Sequence, residues 1–212
     1  MKQLVLRSTL ISFKRHAMYL TKSFEEADVE YHLVINGHKF SSIINNRWTS
    51  VRHRENIGYD FKAWRSWLDR LDRNNYDLFI FINDSVRGPF DDKIWAITFT
   101  NVLNNYTKLV GITIACERTE EDIIMNNPIK CPILQSMMYC VDRIGLDIID
   151  RYIFSQVRAR NMSFSETVYK CEAHLASTII ASGYNISCIL KPYQVDYQDK
   201  TQWTVNPNIY IG

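Results

Sequence analysis

The run Leu78-Phe79-Ile80-Phe81-Ile82 passes without a break into Asn83-Asp84-Ser85, and this junction constrains the fold more tightly than any other stretch. Side chains alternate between the two faces of a strand. Five consecutive apolar residues therefore require burial on both faces, which is the environment of an interior strand in a parallel sheet covered by helices. The abrupt change to turn-forming polar residues then marks the end of that strand.

The rest of the chain supports such a sheet. Residues 4–9 read as a first strand, and Phe13, Ala17, Leu20 and Phe24 recur at helical spacing behind it. Residues 29–37 read as a second strand, residues 49–56 as a short third one, and Phe61, Trp64, Leu68 and Leu71 as the buried stripe of a helix. Residues 91–104 have a helical pattern; residues 108–116 and 132–141 each read as one strand. Ser163 and Glu166 make a capping box. It opens a helix with the stripe Val168, Cys171, Leu175 and Ile179, stopped at Gly183. After Pro192 no periodicity remains. Strands alternating with helices predict one α/β domain over residues 1–212, with a mostly parallel central sheet flanked by helices. The chain is expected to stand alone or as one module of a longer protein.

Composition narrows the class. Among 212 residues, 46% are hydrophobic and 23% charged, as in a soluble globular protein. A net charge of +2 gives no support to nucleic-acid binding. Cys116, Cys131, Cys140, Cys171 and Cys188 are odd in number and lack CxxC spacing, so they read as buried thiols of a reduced, cytoplasmic protein. No run is long enough to span a membrane, and the start is too interrupted for a signal peptide. The sequons at Asn83, Asn105, Asn161 and Asn185 then read as chance. The first strand-to-helix turn has no glycine, which excludes the dinucleotide fingerprint. No phosphate-loop or nucleophile-elbow motif occurs, and the five histidines form no metal-binding pair.

Three features can carry chemistry. Ligands of open α/β sheets bind beyond the carboxyl ends of the strands. Asp84 occupies such an end with the Ser85 hydroxyl beside it, and hard oxygen donors suit Mg2+ or Mn2+. The alternative is that Asn83-Asp84 only opens a turn before Gly88-Pro89; the directness of the strand-to-Asp84 step favours the metal. The second feature is Arg52 to Trp64. Gly58 permits a tight loop, and Tyr59 or Asp60 would open the following helix, whose amide groups favour an anion. Arg52, Arg54 and Lys62 bring positive charge, and Asn56 and Asp60 are suited to hold a ribose, base or sugar. Alone, this reads as a capped helix. The third is Glu172, beside but not on its helix's buried stripe, facing either a cleft or solvent; alone, solvent is the better reading.

In this order, the three pieces resemble the glycosyltransferases of the GT-A fold. The shared features are the asparagine–glycine loop Asn56-x-Gly58, the buried strand ending in a DxD-like motif, and Glu172 with Leu175 three and Gly183 eleven residues later, then Tyr184 and Ile186. The phrase from Glu55 to Phe90 is similar more narrowly to polysaccharide-forming transferases related to rhamnan synthesis, and to those that chlorella viruses encode for capsid glycans. The similarity runs over about residues 3–190. It departs at Asn83-Asp84-Ser85, which has one carboxylate, at Cys171-Glu172, where only the second position is acidic, and at Asn36-Gly37, where many relatives carry an aspartate that reads uracil.

The resemblance implies a metal-dependent hexosyltransferase that moves a sugar from a nucleoside diphosphate donor, a UDP-sugar, to a glycan or glycoprotein acceptor. It implies a cytoplasmic enzyme, in the host cytoplasm if viral. Arg7, Ser8, Thr9 and Asn36 would border base and ribose. Asn56, Gly58 and Asp60 would close over the nucleotide, with Lys62 on a phosphate. Asp84 would hold Mn2+ or Mg2+, with Asn83 and Ser85 beside it at the donor. Glu172 would be the general base. Two other classes stay open. A sugar-nucleotide nucleotidyltransferase would need a glycine-rich basic loop after the first strand. A carbohydrate-binding module would use Trp48, Trp64, Trp67, Trp95 and Trp203 but would not need Asp84 at a strand end.

Overall fold

The computed structural model describes residues 3–9, 29–37, 48–86, 96–116 and 132–203, with backbone alone at 5–9 and 96. The helix expected at Phe13–Phe24, and also Trp95 and Cys131, lie outside the described residues. Nine strands occur in them: β1 (Gln3–Thr9), β2 (Val29–Asn36), β3 (Ser50–Arg54), β4 (Leu78–Ile82), β5 (Thr107–Gly111), β6 (Ile114–Cys116), β7 (Pro132–Leu134), β8 (Met138–Asp142) and β9 (Asn185–Cys188). The helices are α1 (Tyr59–Leu68), α2 (Ala96–Thr100), α3 (Arg143–Ile149), α4 (Ser155–Ala159), α5 (Phe164–Thr167) and α6 (Ala173–Ala181). Two π-helical turns join them: Asp150–Phe154 between α3 and α4, and Val168–Glu172 between α5 and α6.

Seven strands form one sheet in the order β3-β2-β1-β4-β8-β5-β9, with β4 at its centre. Pairing is parallel throughout except at β8, which runs against both neighbours. The central place of β4 follows from its composition. Phe79 and Phe81 enter the core on one face with Leu4, Val34, Trp64 and Tyr139. Leu78, Ile80 and Ile82 enter the opposite face with Tyr31, Val110, Cys140 and Phe99 of α2. Each of these five is at most 4% exposed, and burying side chains of this size contributes about 1.5–3 kcal/mol apiece. Helices thus cover both faces, and the chain is an α/β unit with a mostly parallel sheet.

The first core is densely aromatic. Trp64 meets Phe61, Phe81 and Tyr139 edge-on at 5.2, 5.4 and 5.6 Å, and Phe81 stacks on Tyr139 at 4.8 Å. Arg65 is buried beside this cluster, paired with Asp69 and with Asp150 at 3.0 Å, while Arg73 reaches Asp150 at 2.8 Å. These ion pairs tie α1 to the π-turn after α3.

Several sequence expectations need correction. Residues 108–116 are two strands, since the chain leaves the main sheet after Gly111, where the Leu134 side chain packs so closely that an added Cβ would lie 2.7 Å from its Cγ. Residues 132–141 are likewise divided by a turn at Gln135–Met137. Their first half pairs antiparallel with β6 in a separate two-stranded sheet, and their second half becomes the reversed β8. A continuous apolar run carries no mark of strand direction, so this reversal was not readable from it. Val168, expected in a buried stripe, is 37% exposed, whereas Cys171, Leu175 and Ile179 are buried. The π-turn lengthens one helical turn and rotates Val168 out of line with the others. Helix α1 ends at Leu68, short of Leu71, which still packs on the core. Residues 143–159, which showed no assigned pattern, are helical; Asp142 caps them by accepting the Gly145 N–H at 2.8 Å.

Candidate functional site

The carboxyl ends of β1, β2 and β4 lie together, with the strand order diverging on either side of β1. A sheet of this kind opens a crevice where its order reverses. Beyond β4 lies a cavity of about 290 Å³. Four segments line it: the loop before α1 with that helix's first turn, the turn after β4, the turn between β7 and β8, and the helix from α5 into its π-turn.

The turn after β4 contributes Asn83, Asp84 and Ser85. Asn83 Oδ1 accepts the Ser85 N–H at 2.9 Å, which folds the Asx turn expected of an asparagine at a strand end. Its own N–H donates to the Met137 carbonyl at 2.9 Å. Asn83 therefore shapes the loop that carries Asp84. The turn between β7 and β8 contributes Ser136 and Met137, and the Ser136 N–H donates to Glu172 Oε1 at 3.0 Å. One tight turn thus holds both acidic segments, Asp84 through Asn83 and Glu172 directly. Glu172 faces this cavity rather than open solvent, brought round at the end of the π-turn.

The loop before α1 contributes Asn56, and the first turn of α1 contributes Tyr59, Asp60 and Phe61. Gly58 takes the cap position of α1 at φ 71°, with no side-chain cap, and Tyr59 opens the helix, one of the two residues expected to do so. A Cβ at Gly58 would also meet Lys62 Cδ at 2.7 Å. Tyr59 itself has φ 51°, a conformation that costs a residue with a side chain. Arg54 holds this loop by donating to the carbonyls of Ile57 and Tyr59, and at 2.8 Å to Asn36 Oδ1. Asn56 Oδ1 is buried and finds no hydrogen-bond partner among the described residues.

Of the expected site residues, Asn56, Asp60, Asn83, Asp84, Ser85 and Glu172 are brought to one cavity. Gly58 shapes its rim. Asn36 ends β2, is 1% exposed, and braces the loop through Arg54 instead of lining the cavity. Lys62 donates to Asn161 Oδ1, away from it. Arg7, Ser8 and Thr9 end β1, and their side chains lie outside the described residues. The basic groups expected near a phosphate are committed elsewhere: Arg54 to the loop, and Arg52 over the Trp67 ring at 4.5 Å. Ser136, Met137, Phe164 and Thr167 also line the cavity and were missed. Ser163 and Glu166 do mark where Phe164 begins a helix, but nothing in the sequence shows that this helix start borders Asp84.

Electrostatically the cavity is acidic. Asp60, Asp84 and Glu172 line it, and no basic side chain among the described residues does. The Tyr139 hydroxyl is fully buried and finds no hydrogen-bond partner among the described residues. Burial first, and the nearby Cys171, Asp60 and Glu172 next, push its pKa well above the usual phenol value, so Tyr139 stays protonated. Among the described residues no three His, Cys, Asp or Glu side chains are close enough to hold a metal by themselves. The donor set at Asp84 instead fits the mode in which Mg2+ or Mn2+ takes one carboxylate from the protein and the rest from phosphates and water. Trp64 and Trp67 are core residues, 0% and 5% exposed, and Trp48 and Trp203 are half-buried, so none of these four is an open surface platform. No helix among the described residues is long and apolar enough to cross a membrane.

No family model matches the chain, and no curated protein matches it. Solved structures do. The chain is similar to the 2-C-methyl-D-erythritol 4-phosphate cytidylyltransferase of Francisella tularensis, with TM-score 0.46 and 10% identity over 89% of each chain. It is also similar to the apo-form glycosyltransferase GlyE of Streptococcus pneumoniae, with TM-score 0.44 and 13% identity, over 88% of this chain and 45% of that one. At these values the likeness is one of chain path.

Proposed function

We propose that the chain is a glycosyltransferase that uses a nucleoside diphosphate sugar with a divalent cation, with a UDP-sugar as the first donor to test. One observation carries this reading: Asp84, at the end of the central strand, and Glu172, far along the chain, line one cavity. A divalent cation held by one carboxylate is an ordinary way for a protein to bind a diphosphate. The resemblance to GT-A glycosyltransferases, seen in the order and spacing of three motifs, points the same way.

In this reading Asp84 holds Mn2+ or Mg2+, which when bound neutralises the charge that grows on the departing diphosphate. The chain's own groups do the rest. Asn83 fixes the Asp84 loop through its bond to Ser85. Glu172, oriented by the Ser136 N–H, takes the proton from an acceptor hydroxyl as that oxygen bonds to the anomeric carbon. The bond from that carbon to the phosphate oxygen breaks with its electron pair, and the nucleoside diphosphate leaves. This route inverts the anomeric centre. Asn56, whose buried Oδ1 has no partner among the described residues, and Asp60 meet the donor's hydroxyl or base groups.

The test is release of nucleoside diphosphate from a panel of sugar nucleotides with Mn2+ or Mg2+ and saccharide acceptors. Diphosphate release that depends on both cation and acceptor is expected. Release of pyrophosphate from nucleoside triphosphate and a sugar phosphate would identify a nucleotidyltransferase instead. Saccharide binding with no turnover would identify a binding module.

A further inference from the structure

Part of the cavity's lining is apolar and exposed. Phe164 is 64% exposed, an unusual state for a ring held on rigid backbone. It is rigid because it begins α5 directly after the Ser163 cap. The Ser163 N–H donates to Glu166 Oε2 at 3.0 Å, its hydroxyl accepts the Glu166 N–H at 3.3 Å, and Arg160 holds Glu166 at 3.1 Å. The ring of Tyr59 stands edge-on to Phe164 at 5.4 Å. Tyr59 is the residue at φ 51°, so the backbone keeps an unfavourable conformation where that ring backs Phe164. Val168, 37% exposed, continues the strip toward Glu172. All four residues line the same cavity.

Spacing sets the scale. Eight residues separate Phe164 from Glu172, which is roughly 12 Å along a helix. Two linked pyranose rings span such a length, and one does not. Chemistry sets the class. A pyranose offers an apolar C–H face to a ring and hydroxyl groups at its edge to carboxylates, and it is neutral. An acidic cavity with one aromatic wall accepts such a molecule without a counterion.

Resting on the glycosyltransferase reading above, we propose that Phe164, backed by Tyr59, is the stacking platform for a second sugar of an oligosaccharide acceptor whose reacting hydroxyl lies at Glu172. The acceptor is then a saccharide of at least two units, and the unit that does not react supplies much of the recognition.

The experiment compares wild type, Phe164→Ala and Phe164→Tyr. The probes are methyl monoglycosides of common hexoses and pentoses and the matching disaccharides, followed by nucleoside diphosphate release. Wild type is expected to prefer disaccharides in kcat/KM by about tenfold or more. Phe164→Ala should collapse that preference through a raised KM, and Phe164→Tyr should restore it. UDP affinity with Mn2+, measured by calorimetry, should change less than about twofold. Phe164→Ala with an intact preference overturns the platform. So does a large loss of UDP affinity, which would mean that the ring stacks the nucleobase. No release from any donor by wild type overturns the glycosyltransferase reading itself, which distinguishes the two failures. Since the ring is exposed, Phe164→Ala should melt as wild type does.

Discussion

Glu172→Gln isolates the proton-accepting role from every other role of this side chain. The carboxylate accepts the Ser136 N–H at 3.0 Å. Glutamine has the same shape and keeps an oxygen to accept that bond, so the turn between β7 and β8, and with it Asn83 and Asp84, should stay in place. What is lost is the charge assistance of one hydrogen bond, a difference of about 1 kcal/mol in stability at most. Donor binding should be little altered, because Asp84 and Asn56 rather than Glu172 are assigned to the donor. A general base contributes about 10²–10⁴ in rate, equivalent to roughly 3–5 kcal/mol of barrier. The expected result is therefore a fall in kcat of that order, with donor affinity within about twofold and a nearly unchanged melting temperature. The assay is steady-state nucleoside diphosphate release with acceptor, beside calorimetry of UDP with Mn2+. Turnover equal to wild type would refute the base assignment and leave Glu172 as a brace for the Ser136 turn.

The remaining predictions concern the metal and the scaffold. Asp84→Ala should lower cation-dependent release by about a hundredfold or more without unfolding, and EDTA should remove wild-type activity; retained activity in either case would exclude Asp84 as a metal ligand. Gly145→Ala would place a Cβ 2.3 Å from the Lys108 carbonyl oxygen and 3.1 Å from Val141 Cβ. Overpacking against backbone costs about 1–3 kcal/mol, offset by up to about 1 kcal/mol of better helix propensity; a lower urea midpoint is expected, and an equal or higher one would disprove the close seating of α3 on β5. His32 is buried, bonded to Ser50 Oγ at 2.6 Å, 3.5 Å from Glu30 and 5.1 Å from the Trp67 ring. Burial lowers its pKa below 6.5, and Glu30 opposes that only in part. The unfolded chain therefore binds the proton more readily, and stability should fall as pH drops below about 6.5 toward the folded value; His32→Gln should flatten that part of the urea-midpoint profile.

The strand Leu78–Ile82 was legible because full burial on both faces leaves a direct trace in composition. The loop at Gly58 was legible because a left-handed backbone selects glycine, and the helix start at Ser163 because both halves of its capping box are local. Asp84 could be placed at a strand end on the same grounds. Glu172 could not be placed: its helix is readable, but the π-turn that redirects it depends on packing. The basic residues Arg54 and Lys62 were suited to a phosphate by charge, yet their hydrogen bonds go to Asn36, to the Asn56–Asp60 loop and to Asn161. Charge is visible in a sequence, whereas the partner that neutralises it is not.

By itself, then, the amino-acid order determined the central buried strand, the alternation of strands and helices, and the local caps and turns, because each depends on neighbours a few residues away. Only the tertiary structure decided that β8 runs backwards between β4 and β5, that β6 and β7 leave the main sheet, and that the turn between β7 and β8 holds Asp84's loop and Glu172 together. Those outcomes depend on hydrogen bonds between distant segments, such as Asn83 to Met137 and Ser136 to Glu172. Apolar patterning says that a segment is buried, but not which neighbour it meets or in which direction it runs.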